Sequence, residues 1–231
     1  MATGAASAVS GDAASSESPD RPTWFWRALR AFGRLTFPAW LRFRARGVEN
    51  IPVQGPALLV INHQSFLDPM LVGVPLARPI SFLARDSLFQ VPILRWMLKH
   101  TYTMPVNRQS ASSSSLRLAA DRLKRGFLVG IFPEGTRSSD GKIGPLKPGF
   151  IALVRRADVP IIPVGIAGAG AALPRHSWFV RPKPCRVVFG DPIPAEVLAK
   201  LVVKGNEQAL LEEVHRRMSQ CQQEAQDWLE R

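Results

Sequence analysis

His63 precedes Asp68 by five residues in Asn62-His63-Gln64-Ser65-Phe66-Leu67-Asp68. An imidazole with one ring nitrogen held by a carboxylate keeps the other free to take a proton, which is the minimum equipment of a general base. A second cluster, Phe132-Pro133-Glu134-Gly135-Thr136-Arg137-Ser138, sets a carboxylate close to a guanidinium. A histidine near an aspartate is common in loops that do no chemistry. The pair gains weight from its company, because each cluster directly follows a short apolar run, Ala57-Leu58-Leu59-Val60-Ile61 in one case and Phe127-Leu128-Val129-Gly130-Ile131-Phe132 in the other. Runs of this kind predict strands buried on both faces, as in a parallel sheet. Open α/β sheets bind their ligands at the carboxyl ends of the strands, so the two clusters are expected to meet at one sheet edge. Asp68-Pro69 predicts a helix start, with Asp68 as N-cap and Pro69 at the first helical position, folding the carboxylate back towards the imidazole.

The elements that must position these residues alternate along the chain. Strands are expected at 57–62, 80–84, 102–106, 127–132, 161–166 and 186–189, and helices near 69–76, 88–99, 113–124, 149–156 and 207–229. That order predicts an α/β fold: a single domain with a mainly parallel sheet covered by helices on both faces. In the last helix Leu211, Val214, Met218, Cys221, Ala225 and Trp228 form one stripe, expected to pack against the domain. The segment 88–98 is unusually apolar. It suits a buried helix or an exposed greasy surface equally well.

The chain of 231 residues is long enough for one domain with a sizeable core plus appendages. Its formal net charge of +12 calls for an anionic partner: nucleic acid, anionic lipid or a phosphorylated substrate. Zinc-knuckle spacing and aromatic-rich RNA-binding signatures are missing and there is one tyrosine, so nucleic acid is set aside. Cys185 and Cys221 have neither metal-ligand spacing nor the pattern of a disulfide framework, which implies a reducing cytoplasm and no metal site. Residues 1–20, rich in Ala, Ser and Gly and without a basic residue, read as a disordered tail and not as a signal peptide.

Residues 21–46 differ sharply. Three tryptophans and four phenylalanines interleave with seven arginines, and no apolar run approaches the roughly twenty residues that span a bilayer. Phe25, Leu29 and Phe32 share one helical face and Arg27, Arg30 and Arg34 another, with Pro38 expected to break the segment into two short helices. Rings beside guanidiniums suit the headgroup region of an anionic membrane, which is the favoured reading over an amphipathic helix packed on its own domain. The organisation expected is a tail at 1–20, an amphipathic membrane-interface segment at 21–46 and a catalytic domain at 47–231.

His63 and Asp68 match the H-x4-D signature of the glycerolipid acyltransferase superfamily, typified by 1-acyl-sn-glycerol-3-phosphate acyltransferases, and the 132–138 segment matches that family's F-P-E-G-T-R-S block. Met104-Pro105-Val106-Asn107-Arg108 and Val159-Pro160-Ile161-Ile162-Pro163-Val164 resemble two weaker blocks. Leu146-Lys147-Pro148-Gly149 resembles a P-F-K-x-G stretch, with leucine where phenylalanine is usual. The resemblance covers roughly residues 45–190 by motif matching.

It implies an enzyme that moves a fatty acyl group from a thioester, acyl-CoA or acyl-carrier protein, to the free hydroxyl of lysophosphatidic acid, with no bound cofactor. His63 would be the base and Asp68 its orienting partner. Arg108 and Arg137 would grip the acceptor phosphate, with Lys147 adding a point charge. Glu134 would orient Arg137 or accept from the acceptor hydroxyl, Gly135 would admit close backbone approach and offer its N–H to the anion, and Thr136 completes the substrate-binding block. The implied location is peripheral, on the cytoplasmic face of the inner membrane. Another lysophospholipid or a lyso-ornithine lipid would suit the same machinery. A lipid ester hydrolase would need a serine for His63 to serve, yet no G-x-S-x-G elbow surrounds Ser65, which reads as a turn residue. A non-catalytic lipid binder would have no use for the His63–Asp68 pair.

His63→Ala is expected to cut acyl transfer by about a hundredfold to ten-thousandfold with the fold intact. Asp68→Asn is also expected to be severe, since an amide orients the ring but stabilises imidazolium poorly. Turnover measured beside circular dichroism decides the point, and a folded His63→Ala protein with near-normal turnover overturns the assignment.

Overall fold

The computed structural model describes residues 22–106 and 114–231. The expected tail at 1–20 and Arg108 lie outside the described residues. Helices are α1 (Trp24–Trp40), α2 (Asp68–Gly73), α3 (Pro92–His100), α4 (Ser114–Lys124), α5 (Ile151–Ala157), α6 (Ala169–Ala172), α7 (Ala195–Leu201) and α8 (Glu207–Glu230). Strands are β1 (Arg44–Arg46), β2 (Ala57–Ile61), β3 (Ile80–Arg85), β4 (Met104–Val106), β5 (Leu128–Ile131), β6 (Ile161–Ala167) and β7 (Arg186–Phe189). They form one sheet in the order β1-β7-β6-β2-β5-β3-β4, parallel throughout except for the antiparallel pairing of β6 with β7.

Every residue of β2 is fully buried. Leu58 and Val60 face a core built with Ala119 and Leu123 of α4, Leu153 and Val154 of α5, and Val214 and Met218 of α8. Leu59 and Ile61 face the opposite core, with Leu71 and Val72 of α2 and Ala169 and Ala172 of α6. A continuous apolar run is thus what a strand needs when both of its faces are covered, and each such side chain contributes about 1.5–3 kcal/mol of burial. α8 lies directly on β6, where a Cβ at Gly165 would overlap the helix backbone at Cys221 and Gln222. Its buried stripe begins at Leu210, with Leu211 and Trp228 only partly covered.

Several elements differ from expectation. α1 runs unbroken through Pro38, which falls in its last turn and so forfeits little helix bonding before Leu41 N–H closes on Phe37 O at 2.9 Å. Residues Arg44 to Arg46 form the edge strand β1, paired with β7; three residues of the type Arg-Ala-Arg carry no apolar run to announce a strand. β4 begins only at Met104 because Tyr102 takes φ +61°, outside the extended region. The 88–99 stretch divides into a 3-10 turn (Asp86–Gln90) and α3, and no residue of α3 is buried, so this apolar segment is a surface.

α1 has two apolar faces. Trp26, Gly33 and Phe37 pack on the domain, Trp26 clustering with Tyr102 and Phe127, while a Cβ at Gly33 would strike Val74. Thr23 caps the helix by accepting from Trp26 N–H and ties it to His100 O. The other face leaves Trp24 68%, Phe32 60% and Leu35 80% exposed. No helix among the described residues is long and apolar enough to cross a membrane.

Just past β2, the side chain of Asn62 continues the sheet. Its Nδ2 donates to Ile166 O at 3.0 Å and its Oδ1 accepts from Ile166 N–H at 2.7 Å, both buried. Asn62→Leu strands two buried backbone groups, and each unsatisfied group costs about 1–3 kcal/mol. Denaturant unfolding is expected to show a loss of about 2–6 kcal/mol.

Candidate active site

The site grows from the register of two neighbouring strands. β2 pairs parallel with β5, Val60 opposite Ile131, so both leave the sheet at the same edge. His63 and Glu134 follow within a few residues, and a direct clasp joins them. His63 N–H donates to Glu134 Oε1 at 2.8 Å, and His63 O accepts from Ser138 N–H at 2.7 Å. Glu134 Oε2 accepts from Gly144 N–H at 2.9 Å. Both carboxylate oxygens therefore hold backbone, and Glu134 forms no hydrogen bond or ion pair with Arg137, contrary to the orienting role expected of it. It acts as a positioning residue for the backbone of His63.

Asp68 is completely buried. Its Oδ2 receives His63 Nδ1 at 2.7 Å, Gln64 N–H at 2.7 Å and Ser65 N–H at 2.8 Å. The carboxylate thus turns back to the loop before the helix and does not cap it; Leu67 is the residue at the N-cap position. With Nδ1–H given to Asp68, the neutral ring presents Nε2 as its basic nitrogen, which has no protein partner among the described residues. The ring stacks on Phe132, centroids 4.1 Å apart and 22° between planes, and Phe132 in turn stacks on Phe82. Gly130 makes room for Phe82, since any Cβ there would come within 2.5 Å of that ring. Burial pushes the Asp68 carboxyl above the usual carboxylate range, opposed by His63 and the two backbone donors. Burial likewise raises Glu134, opposed by the Gly144 and His63 N–H groups.

The Cζ of Arg137 sits over the Phe66 ring, 4.0 Å from its centroid, with Nη1 buried and unpartnered. Burial, followed by the like charges of Arg175 and Arg85, pushes its pKa below the usual arginine value. Three cations thus act on one another around Arg137, which directly precedes the Ser138 N–H bound to His63 O, and among the described residues the Asp68 carboxylate, already engaged by His63, offsets their repulsion at Arg137. Arg85 ends β3 at the same sheet edge as His63, a position from which it was legible. Arg175 sits in the loop after α6, which no sequence pattern links to the site. Gly135 takes φ +68° and its N–H closes a turn on Phe132 O, so it is not the anion donor expected. The Lys147 side chain crosses its open face, where a Cβ would lie 2.7 Å from Nζ. Lys147 is anchored by its N–H to Pro133 O, while Thr136 is exposed on the turn. Ser65 Oγ donates to Leu173 O at 2.9 Å and accepts from Leu67 N–H, which leaves it no role as a nucleophile served by His63.

A family profile described as Acyltransferase matches residues 42–167. The chain belongs to the acyltransferase family. Among curated relatives, the chloroplastic 1-acyl-sn-glycerol-3-phosphate acyltransferase of Brassica napus is 32% identical over 152 residues, 64% of this chain and 44% of that protein. The 1-acyl-sn-glycerol-3-phosphate acyltransferase of Bacillus subtilis is 28% identical over 175 residues, 75% of this chain and 85% of its own length. The chain spans less than half the length of the plant relatives it matches. The crystal structure of the 1-acyl-sn-glycerophosphate acyltransferase of Thermotoga maritima superposes with a TM-score of 0.71 at 25% identity, covering 89% of this chain and 80% of that one. The α/β fold with its mostly parallel sheet is thus the fold of this acyltransferase.

Glu134→Gln turns an NH2 against one of two backbone N–H groups and is expected to lower turnover roughly tenfold or more by loosening His63. Its stability has a distinct pH signature. A carboxyl whose folded pKa is raised lends stability that is full below the unfolded value and lost as pH rises through the folded value. The stability deficit of the glutamine variant relative to the parent is therefore expected to shrink as pH rises through the folded pKa of Glu134, read by thermal unfolding from pH 4 to 8.

Proposed function

We propose that this protein acylates the free hydroxyl of lysophosphatidic acid with a thioester-borne fatty acyl group, from acyl-CoA or acyl-carrier protein, giving phosphatidic acid. The observation that carries the reading is the open Nε2 of an Asp68-held His63 beside the cluster of Arg137, Arg85 and Arg175, which offers one base and one anion site within a single edge. The names of the relatives support the same acceptor.

The acceptor phosphate sits on the Arg137 fork, with Arg85 and Arg175 adding charge and Lys147 close by. Nε2 of His63 takes the hydroxyl proton as the oxygen attacks the thioester carbonyl. The imidazolium is stabilised by Asp68 through Nδ1–H. Collapse of the tetrahedral intermediate breaks the carbon–sulfur bond, and Nε2 returns the proton to the departing thiolate. A thiolate is a good leaving group, so direct attack suffices without a covalent acyl-enzyme. The reaction takes place with the protein lying on the bilayer through the free apolar face of α1, bordered by Arg27, Arg30 and Arg34. The cytoplasmic side is favoured by two unpaired, buried cysteines.

The test is an acceptor panel with one labelled acyl-CoA and one labelled acyl-carrier protein, read by lipid mass spectrometry. Lysophosphatidic acid is the expected best acceptor. Arg137→Ala is expected to weaken its use roughly ten- to a hundredfold, with Arg137→Lys recovering part. An equal loss with monoacylglycerol, which has no phosphate, would assign Arg137 a structural role and overturn the acceptor reading.

A further inference from the structure

The loop between α6 and β7 exposes two aromatic rings that the catalytic machinery does not use. Trp178 is 92% exposed and Phe179 53%. The rings are held on a closed, hydrogen-bonded turn. Arg181 N–H closes the loop on Ala172 O at 2.7 Å, and Ser177 N–H donates to Pro174 O. Ser177 Oγ donates to Phe179 O and accepts from Phe179 N–H. A rigid turn that leaves a tryptophan this exposed offers a large apolar surface at low ordering cost to whatever covers it.

Charge says what covers it. Residues 169–190 contain no acidic side chain and four cations, Arg175, Arg181, Lys183 and Arg186, whereas the acids of the C-terminal region concentrate on α8. Aromatic tips flanked by cations match the boundary between anionic headgroups and acyl chains. The loop is also joined to both other parts of the proposed function. Trp40, in the last turn of α1, donates its Nε1–H to Val180 O at 3.0 Å and packs edge-on against Phe179. At the loop's other end, Leu173 O accepts from Ser65 Oγ of the H-x4-D loop, and Arg175 presses electrostatically on Arg137.

We infer that the Trp178–Phe179 turn is a second membrane-contact element, a wedge that enters anionic bilayers and sets the mouth of the site against the lipid surface. The inference rests on the proposed interfacial action of α1 and adds to it an orientation: one contact tethers the protein, two fix its tilt. A bilayer-borne acceptor then reaches Arg137 and His63 without leaving the membrane.

The test uses the full chain with Trp178→Cys carrying a polarity-sensitive fluorophore. Labelling is selective because Cys185 and Cys221 are buried, and burial pushes both thiols up to about 12. Vesicles of phosphatidylcholine with phosphatidylglycerol are expected to shift the emission to the blue, and bromine on the upper acyl chain to quench it. The double variant Trp178→Ser, Phe179→Ser is expected to raise KM roughly tenfold for a vesicle-embedded acceptor while leaving that for a short-chain monomeric acceptor unchanged. Pelleting of the labelled protein with vesicles and no change in emission overturns the wedge and leaves the α1 contact standing. Failure to pellet at all, with Phe32→Glu, Leu35→Glu behaving like the parent, overturns both.

Discussion

The backbone of His63 is gripped on both sides by the segment that follows β5. Its N–H points at Glu134 and its C=O receives Ser138 N–H. A proton-transfer group has to sit within a fraction of an ångström of its working position, and side-chain contacts alone would leave the main chain beneath it free to move. Here the main chain is fixed by charge-assisted and neutral hydrogen bonds that exist only because β2 and β5 are parallel neighbours ending together. The Asn62 amide, bridging to Ile166 on β6, locks the same loop from the other side. Once the backbone is set, Asp68 chooses the ring nitrogen that is left open and Phe132 fixes the plane of the ring.

This arrangement is electrostatically costly. Asp68 and Glu134 are buried carboxyls whose ionised forms are disfavoured by desolvation and retained by donors from the neighbouring backbone. Arg137 faces the opposite imbalance, a guanidinium crowded by like charges with a buried nitrogen left unbonded. In the proposed reaction both tensions would fall: the acceptor's phosphate would offset the arginines, and a proton on His63 would give Asp68 a full counter-charge.

The periphery follows a second constraint, the disposal of apolar surface. α1 buries one apolar face on the domain and leaves the other open, so the packing foreseen for such a helix uses only one of its two sides. No residue of α3 is buried, and its Trp96 meets Phe25 at 4.7 Å, extending the open surface away from the N-terminal end of α1. The 173–180 turn extends it at the other end.

What the sequence determined by itself was whatever depends on local pattern. Apolar runs marked β2, β5 and β6 because strands buried on both faces must be apolar throughout, and the placement of His63 and Arg137 after such runs located the edge where they meet. Residues whose roles depend on a partner distant in the chain were legible only in the tertiary structure. Glu134 is a clasp because Gly144 and His63 converge on it, and Asp68 declines the N-cap because the 63–65 loop offers it three better donors. Pro38 fails to break α1 because the helix ends two residues later, and β1 exists only because β7 stands beside it. Arg175 lies 112 positions from His63, yet the loop after α6 brings it to the site. The physical reason is common to all of them. Periodicity and burial are properties of a segment, whereas a hydrogen bond or an electrostatic field belongs to two segments at once, and only the fold decides which two.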